Sequence, residues 1–378
     1  MLVLTEVMDA DPARNVIGDV TPFERAVELI RVAEAPALAC HVHPDGDALG
    51  SMLAMHLLCE SQGKSPVSSF PSPFAVAPHY RFLPGIDRLT PPARFPERPD
   101  LLITFDVGTI ARMGDLQRSV HGAREAVVLD HHADNEHFGT VNVVQLDAAA
   151  TAVVVRRLAN ALEWPLHRDA ALNLYVGLLT DTGRFQYPNT TSDVFVLAEE
   201  LAEFNLPLAE LTRELFEKHR FAYVRLAGLA LARAELDEPN HLVAAWLTGE
   251  ELRNHGVAFD ETEGFIDLLR RTAEAEVVVA LKEAPDEGLR VSLRSLGRIN
   301  VGEVASTLGG GGHSFMAGFT SQGTIADTLD LVRAAIATAA SAMGAVDCEN
   351  PTARRSARSS VPDPDRLGQP ADHRRRPR

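Results

Sequence analysis

The segment Ala37-Leu-Ala-Cys40-His41-Val-His43-Pro-Asp45-Gly-Asp47-Ala-Leu-Gly-Ser51 sets the pattern for the first half of the chain. Its apolar start reads as a buried strand over Ala37 to Val42 that ends in ionisable residues. Pro44 and Gly46 then bend the chain into a helix read over Ala48 to Gln62. The same order recurs. Asp100 to Phe105 and Glu125 to Leu129 are apolar runs that also close on ionisable residues, and helical periodicity marks Phe23 to Ala33, Ala150 to Leu162 and Ala170 to Leu179. Strands alternating with helices predict an α/β domain on a doubly wound, mainly parallel sheet with helices on both faces. Ligands of such sheets bind beyond the carboxyl ends of the strands, where the ionisable residues collect here.

The second half reads differently. A helix-rich connector runs from Ser192 to about Leu236 and ends near Pro239. Strands are predicted at His241 to Leu247, Ala275 to Glu283 and Leu289 to Leu296, with a helix around Phe265 to Thr272 and a hairpin turn at Asp286-Glu287-Gly288. A helix at Val301 to Leu308, a glycine-rich turn and a final helix at Ile325 to Met343 complete a smaller α/β domain with a mixed sheet. The predicted division is an extension over 1–20, a first domain over 21–191, a connector over 192–240, a second domain over 241–344 and a tail over 345–378. From Pro351 onward the chain holds eight Arg and three Asp with almost no large apolar residues, which predicts a disordered, solvated tail. No internal repeat is visible.

Four groups of residues carry chemistry. His41, His43, Asp45 and Asp47 alternate to one side if the chain is extended there, with His43 also readable as a solvent-facing histidine of the same turn. One imidazole with hard carboxylate oxygens suits a divalent ion; the bland alternative is an acidic turn with Asp47 as helix N-cap. Asp106 closes Leu101-Leu-Ile-Thr-Phe105, where a carboxylate is costly unless paired or bound to a cation. Asp130-His131-His132 closes Ala126-Val-Val-Leu129 in the same way, and Asp181 lies in Gly177-Leu-Leu-Thr-Asp181-Thr-Gly183-Arg-Phe185, where a helix gives way to a turn. Each alone is compatible with a surface turn. Together they point to a two-metal site, in which ions sharing a carboxylate activate water for in-line attack on phosphorus.

Composition limits the substrate. The 378 residues hold 46% hydrophobic and 23% charged residues, ordinary for a globular chain of two to three domains. Lys plus Arg number 36 against 52 Asp plus Glu, a formal net charge of −16, which argues against a broad basic surface for long nucleic acid. A short phosphorylated substrate at a metal site stays compatible, because ions there supply the positive charge. Three cysteines, Cys40, Cys59 and Cys348, show neither disulfide nor zinc spacing, which fits a reducing cytoplasm. Met1 to Asp11 has no cationic start and no long apolar region, and no run of about 18 apolar residues occurs, so neither targeting segment nor membrane span is expected.

The set HxxPDGDALGS, strand-final Asp106, LDHH and DTGRFQ resembles the four motifs of the DHH phosphoesterase superfamily. Gly309-Gly310-Gly311-Gly312-His313-Ser-Phe-Met-Ala-Gly318 resembles the GGGH motif of the DHH-associated C-terminal domain. Order and spacing resemble the nanoRNase branch (NrnA-like), oligoribonucleases that are also phosphatases of 3′-phosphoadenosine 5′-phosphate (pAp), over about Thr21 to Met343. The resemblance implies two divalent ions, Mn2+ foremost with Mg2+ or Co2+ as alternatives. It implies His41 and Asp45 on one ion, Asp47, His131 and Asp181 on the other, and Asp106 as the bridging, catalytic carboxylate. His132 is then the catalytic group on the scissile phosphate, and Asp130 orients a ligand imidazole from behind it. It implies a homodimer as well. In the second domain Arg294, Ser295, Gly310, Gly311, Gly312 and His313 are the expected substrate-binding residues: glycine N–H groups cradle an anion and an arginine forks a phosphate. The bland alternative for those glycines is a mobile loop. Arg112 follows motif two where relatives vary, Asp134 and His137 follow DHH on what reads as surface, and Tyr187 is placed to stack on a base while Phe185 packs the core.

The expected activity is hydrolysis of RNA of about two to five nucleotides, of pAp, and by extension of linear or cyclic dinucleotides. A processive single-strand exonuclease of the RecJ kind should bring a basic, aromatic-bearing nucleic-acid domain, which is not visible. A manganese pyrophosphatase would lack the GGGH segment. A nucleotide sensor with a dead metal site should have lost a ligand, and His41, Asp45, Asp47, Asp106, His131 and Asp181 are all present.

Overall fold

A computed structural model of the chain describes residues 20–285 and 288–349. The predicted extension up to residue 19, the turn residues Asp286 and Glu287, and the tail from residue 350 lie outside the described residues. Contacts divide the chain into two compact units, one running to Val224 and including Asp260–Thr262, the other comprising Arg225–Phe259 and the chain from Glu263.

The first unit runs α1 (Pro22–Val32), β1 (Ala37–Cys40), α2 (Gly46–Ser61), β2 (Val67–Ser69), β3 (Leu101–Phe105), α3 (Gln117–Gly122), β4 (Glu125–Asp130), β5 (Val141–Val144), α4 (Thr151–Ala161), α5 (Arg168–Asp181), α6 (Ser192–Ala202) and α7 (Leu208–Phe216), and enters α8 (Phe221–Ala232), which crosses into the second unit. Its five strands pair in the order β2-β1-β3-β4-β5, all parallel. The order reverses at β1, so β1 and β3 flank the switch point beyond whose carboxyl ends ligands bind. Both faces are covered. Leu38, Ile103, Val127 and Leu129 pack with α2, α4 and α5, while Ala39, Leu102, Met113 and Leu116 form the core of the other face. The helices of the predicted connector join this core through buried Val194, Leu197, Leu201, Leu211 and Leu215.

Glycines set the helix packing. A Cβ on Gly50 would lie 2.4 Å from the carbonyl oxygen of Asn173, and one on Gly177 would lie 2.6 Å from Oδ1 of Asp47. Only glycine at both positions lets α2 and α5 approach so closely. Strands β2 and β5 escape the sequence pattern because three and four residues carry too little periodicity.

The second unit contains β6 (Glu235–Asp237), β7 (Leu242–Leu247), α9 (Gly249–His255), α10 (Phe265–Leu269), β8 (Val277–Ala284), β9 (Gly288–Ser295), α11 (Val301–Thr307), β10 (Gly311–His313), β11 (Met316–Ser321) and α12 (Ile325–Glu349). Six strands form a mixed sheet in the order β10-β11-β9-β8-β7-β6, with only β7 and β8 parallel. Two expectations are corrected. The glycine-rich segment is a turn only at its start, Leu308-Gly309, after which Gly311–His313 form edge strand β10, antiparallel to β11. A Cβ on Gly310 would sit 2.1 Å from the Gly318 oxygen, so its lack of a side chain is what lets the hairpin close. The last helix runs to Glu349, past the predicted tail start at 345, through an alanine-rich stretch of high helix propensity. Among the described residues no helix is long and apolar enough to cross a membrane.

Candidate metal centre

The strand that leads into His41 is shorter than predicted, and the turn works differently. β1 stops at Cys40, and His43 takes a left-handed backbone with φ of 51°, which leaves it exposed and out of line with His41 and Asp45. Asp45, not Asp47, is the N-cap of α2: its Oδ1 accepts from the amides of Asp47 and Ala48 at 3.1 and 3.0 Å. Its Oδ2 lies 3.8 Å from Nε2 of His41. Asp47, in the first turn of the helix, points inward and is fully buried. Its carboxylate sits on the N-terminus of α4, which has no side-chain cap of its own. The amide of Ala152 donates to Oδ1 at 2.9 Å and the Ser51 hydroxyl to the same oxygen at 3.0 Å, while the Thr151 amide donates to Oδ2.

Asp106 lies at the centre. Its backbone is left-handed, with φ of 59°, just beyond β3, a strained conformation that non-glycine residues hold where the surroundings over-determine it. Oδ2 is 3.4 Å from Nε2 of His41, and Oδ1 is 3.5 Å from Nε2 of His131. Nε2 of His131 is also 3.1 Å from Oδ2 of Asp181 and 3.9 Å from Oδ2 of Asp47. Two sets of possible ligands thus share one carboxylate, His41–Asp45–Asp106 and Asp47–Asp106–His131, each with its ligand atoms within 4.8 Å of one another, and Asp181 adjoins the second. Nε2 of His41 is buried and makes no hydrogen bond among the described residues, as a nitrogen aimed at a cation would be. Imidazole and carboxylate donors in this number fit divalent ions.

Electrostatics agree with a cluster built around cations. Burial raises the Asp181 carboxyl to about 6, with Asp106 and Asp45 adding to the rise and His131 opposing it. Burial likewise raises Asp47 well above the ordinary carboxylate range, helped by Asp181 and Asp106. For Asp106 burial acts in the same direction, but the nearby imidazoles of His131 and His41 and the charge of His132 outweigh it and hold the carboxyl well below that range. His131 is pushed well above the usual histidine value: burial opposes protonation, and Asp106 and Asp181 prevail.

Asp130 faces His132 rather than His131. Nδ1 of His132 lies 2.8 Å from its Oδ1, its Oδ2 accepts from the amide group of Asn135, and Nδ1 of His131 faces the Ala148 carbonyl at 3.1 Å instead. Burial lowers the His132 pKa, but the charge and hydrogen bond of Asp130 raise it further, for a net rise. Thr151 and Asn135 were missed in the sequence, and Arg112 stands out there only by its place after motif two, with no role attached. Arg112 places Nη2 3.0 Å from Nδ1 of His41, and Thr151 donates its hydroxyl to Oδ1 of Asp106 at 3.2 Å. The one sequence sign was that α4 starts at Ala150-Thr151 with no capping side chain. Tyr187 is buried at 7% exposure, and Phe185 packs against Tyr175 and Phe195.

In the second unit, Arg294 pairs across the sheet with Met316, and Met316 with His313, so Arg294 and His313 stand in one row. The next row is Ser292–Gly318–Gly311, where two glycines leave a floor of bare backbone. Gly312 is left-handed with φ of 133°, and His313 stacks on Phe315 at 5.6 Å. Ser295 does not join the row. Strand alternation turns it inward, and its hydroxyl donates to Glu276 at 3.1 Å and accepts from the Gly297 amide at 2.9 Å.

Comparison with known proteins agrees with this geometry. The model of the DHH family, N-terminal domain, matches residues 37–178, and that of the DHHA1 domain matches residues 240–342. The bifunctional oligoribonuclease and PAP phosphatase NrnA of Thermus thermophilus is 33% identical over 297 residues, 78% of this chain and 87% of the relative. The structure of an exopolyphosphatase-related protein from Bacteroides fragilis superimposes with a TM-score of 0.76 at 22% identity, covering 84% of this chain and 96% of that one. RecJ of Thermus thermophilus in complex with Mn2+ superimposes with a TM-score of 0.51 at 14% identity, covering 85% of this chain and 55% of that one, a likeness of fold. The chain belongs to the DHH family of phosphoesterases that carry a DHHA1 domain, in the branch of the oligoribonuclease and PAP phosphatase NrnA.

Proposed function

We propose that this protein is a metal-dependent phosphoesterase that hydrolyses oligoribonucleotides of about two to five nucleotides to mononucleotides and pAp to AMP, with linear or cyclic dinucleotides as further substrates. The observation that carries it is the pair of donor sets sharing Asp106 at the carboxyl edge of a parallel sheet. His41, Asp45 and Asp106 would hold one ion, and Asp47, Asp106, His131 and Asp181 the other. When bound, such a pair, Mn2+ foremost, supplies Lewis acidity and an activated water.

The chain's own residues do the rest. Asp106 holds the two donor sets at fixed separation, and the α4 amides keep the Asp47 carboxylate from turning away. His132 donates from Nδ1 to Asp130, whose charge favours the imidazolium, and in that form Nε2 also carries a proton for the phosphate or the leaving oxygen. In the second unit, Arg294 offers a fork and His313 a further donor to a nucleotide phosphate, while the Gly311–Gly318 floor admits the nucleotide closely. The net charge of −16 supports short substrates over long ones. Two buried free thiols, Cys40 and Cys59, the latter pushed up to about 12 by burial, support a reducing cytoplasm. A homodimer is the expected assembly, to be read by light scattering.

The test is hydrolysis with Mn2+ of end-labelled RNA of two to five nucleotides, a 24-mer and pAp, beside His131→Ala and Asp106→Ala. Rapid loss of short RNA and pAp, a resistant 24-mer and two inactive variants are expected. Digestion of the 24-mer as fast as a trimer would remove length selection, and nucleotide binding without turnover would make the protein a sensor.

A further inference from the structure

The imidazole of His41 carries two incompatible hydrogen bonds. Its Nδ1 lies 2.8 Å from the Val42 carbonyl oxygen and 3.0 Å from Nη2 of Arg112. A carbonyl only accepts and a guanidinium only donates, so Nδ1 of a neutral ring serves one of them at a time. With the proton on Nδ1, the ring donates to Val42, and Nε2 offers its lone pair toward Asp45 and Asp106, as a metal ligand must. With Arg112 donating to Nδ1, the proton sits on Nε2, 3.4 Å from Oδ2 of Asp106, and that nitrogen cannot ligate.

A metal-binding histidine ordinarily hands its second N–H to an acceptor, as His131 does with the Ala148 carbonyl at 3.1 Å. At His41 the Val42 carbonyl offers the same acceptor, but a permanent cation stands against that nitrogen beside it. The arginine cannot lose its proton. Nor is it a free arm: its carbonyl accepts from the Val42 amide at 2.9 Å, and its own amide donates to Thr109 at 3.1 Å. The loop that presents the guanidinium is therefore pinned to the strand end that carries His41. A fixed positive charge beside a cation site also opposes occupancy directly.

We propose that Arg112 is a positioning residue that competes with the metal ion for His41, so that the ion on His41, Asp45 and Asp106 is the weaker bound and more readily exchanged of the two. This rests on the two-ion site proposed above. Arg112 thereby ties occupancy of that position to the tautomer of one imidazole.

The test uses the full chain, stripped by chelator, and two readouts independent of turnover. Calorimetric titration with Mn2+ should show two classes of site in the wild type. Arg112→Met should tighten the weaker class by about tenfold or more and leave the tighter class alone, with Arg112→Lys, which keeps the charge but not the fork, in between. Nitrogen-15 NMR of the histidines in the stripped protein, with His41 identified by loss of its signals in His41→Gln, should show the Nε2–H tautomer in the wild type and Nδ1–H in Arg112→Met. A weaker class that is unchanged or weaker still in a cooperatively melting Arg112→Met protein overturns the proposal. So does an Nδ1–H tautomer in the stripped wild type, a measurement that needs no variant of Arg112. A single Mn2+ class in every variant would instead refute the two-ion site itself, a result distinct from an unmoved second class.

Discussion

Replacing Asp181 with asparagine should stabilise the chelator-stripped protein at neutral pH while reducing what metal adds. The Asp181 carboxyl is 4% exposed, and its pKa rises from 3.8 to about 6, burial being the largest cause. The folded state therefore binds more protons than the unfolded one between those values. Stability falls as pH rises through that window, and the full cost is present above about pH 6. At about 1.4 kcal/mol for each pKa unit, that cost is roughly 3 kcal/mol at pH 7. An asparagine is neutral and removes it, while weakening the 3.1 Å contact with Nε2 of His131, a loss of about 1–2 kcal/mol. The net gain is about 1–2 kcal/mol, or roughly 2–8 °C for a unit of this size. Loaded with Mn2+ at about a hundred times Kd, the wild type should gain about 2.7 kcal/mol, and the variant, short of one ligand, clearly less. Calorimetry on both proteins, with chelator or Mn2+, at pH 4.5 to 8, reads all of this. A stripped Asp181→Asn protein no more stable than wild type at pH 7, or one that gains as much from Mn2+, would refute the reasoning.

Other consequences are as direct. Asp106→Asn removes the carboxylate shared by both donor sets, and activity should fall at least about a thousandfold with loss of bound metal, measured by turnover and metal content together. Asp130→Asn should leave metal content intact but free the His132 ring, and kcat should drop by about a hundredfold or more with KM little changed; equal loss of metal would show that Asp130 supports a ligand instead. Gly50→Ala ordinarily favours a helix, yet its Cβ would meet the Asn173 oxygen at 2.4 Å, so a loss of about 1–3 kcal/mol is expected in urea unfolding, and a gain would refute the close α2–α5 contact. Burial lowers the Lys282 pKa to about 8, Glu263 opposing and Arg290 and Arg294 adding to the fall, so the unfolded chain binds more protons between about 8 and 10.5. Stability should rise with pH across that window and the rise should vanish in Lys282→Met, followed by denaturant midpoints.

What was readable in the sequence, and what was not, follows from the range over which each interaction acts. His41, Asp106 and His131 each follow a buried apolar strand, and three parallel neighbouring strands carry their terminal residues to one edge, so strand pattern alone predicts that they meet. Asp181 was readable because a helix of apolar face ends on it. Partner choice inside the cluster was not. Asp47 is held by amides 104 and 105 residues away, and His41 by a guanidinium 71 residues away, contacts that no local periodicity encodes. Local rules also competed. The extended alternation that placed His43 with its neighbours lost to a left-handed turn that frees Asp45 to cap α2, and capping is what aims one oxygen at the helix and the other at His41. Glycine runs mislead for a related reason. They signal freedom of the backbone, but Gly310 is required by a neighbour 2.1 Å from where its Cβ would be, so the same letters that suggest a mobile loop specify a close approach of two chain segments in the second sheet. The motif residues thus mark where the chemistry gathers, and the residues that tune it, Thr151, Asn135 and Arg112, are supplied by elements whose own sequences look ordinary.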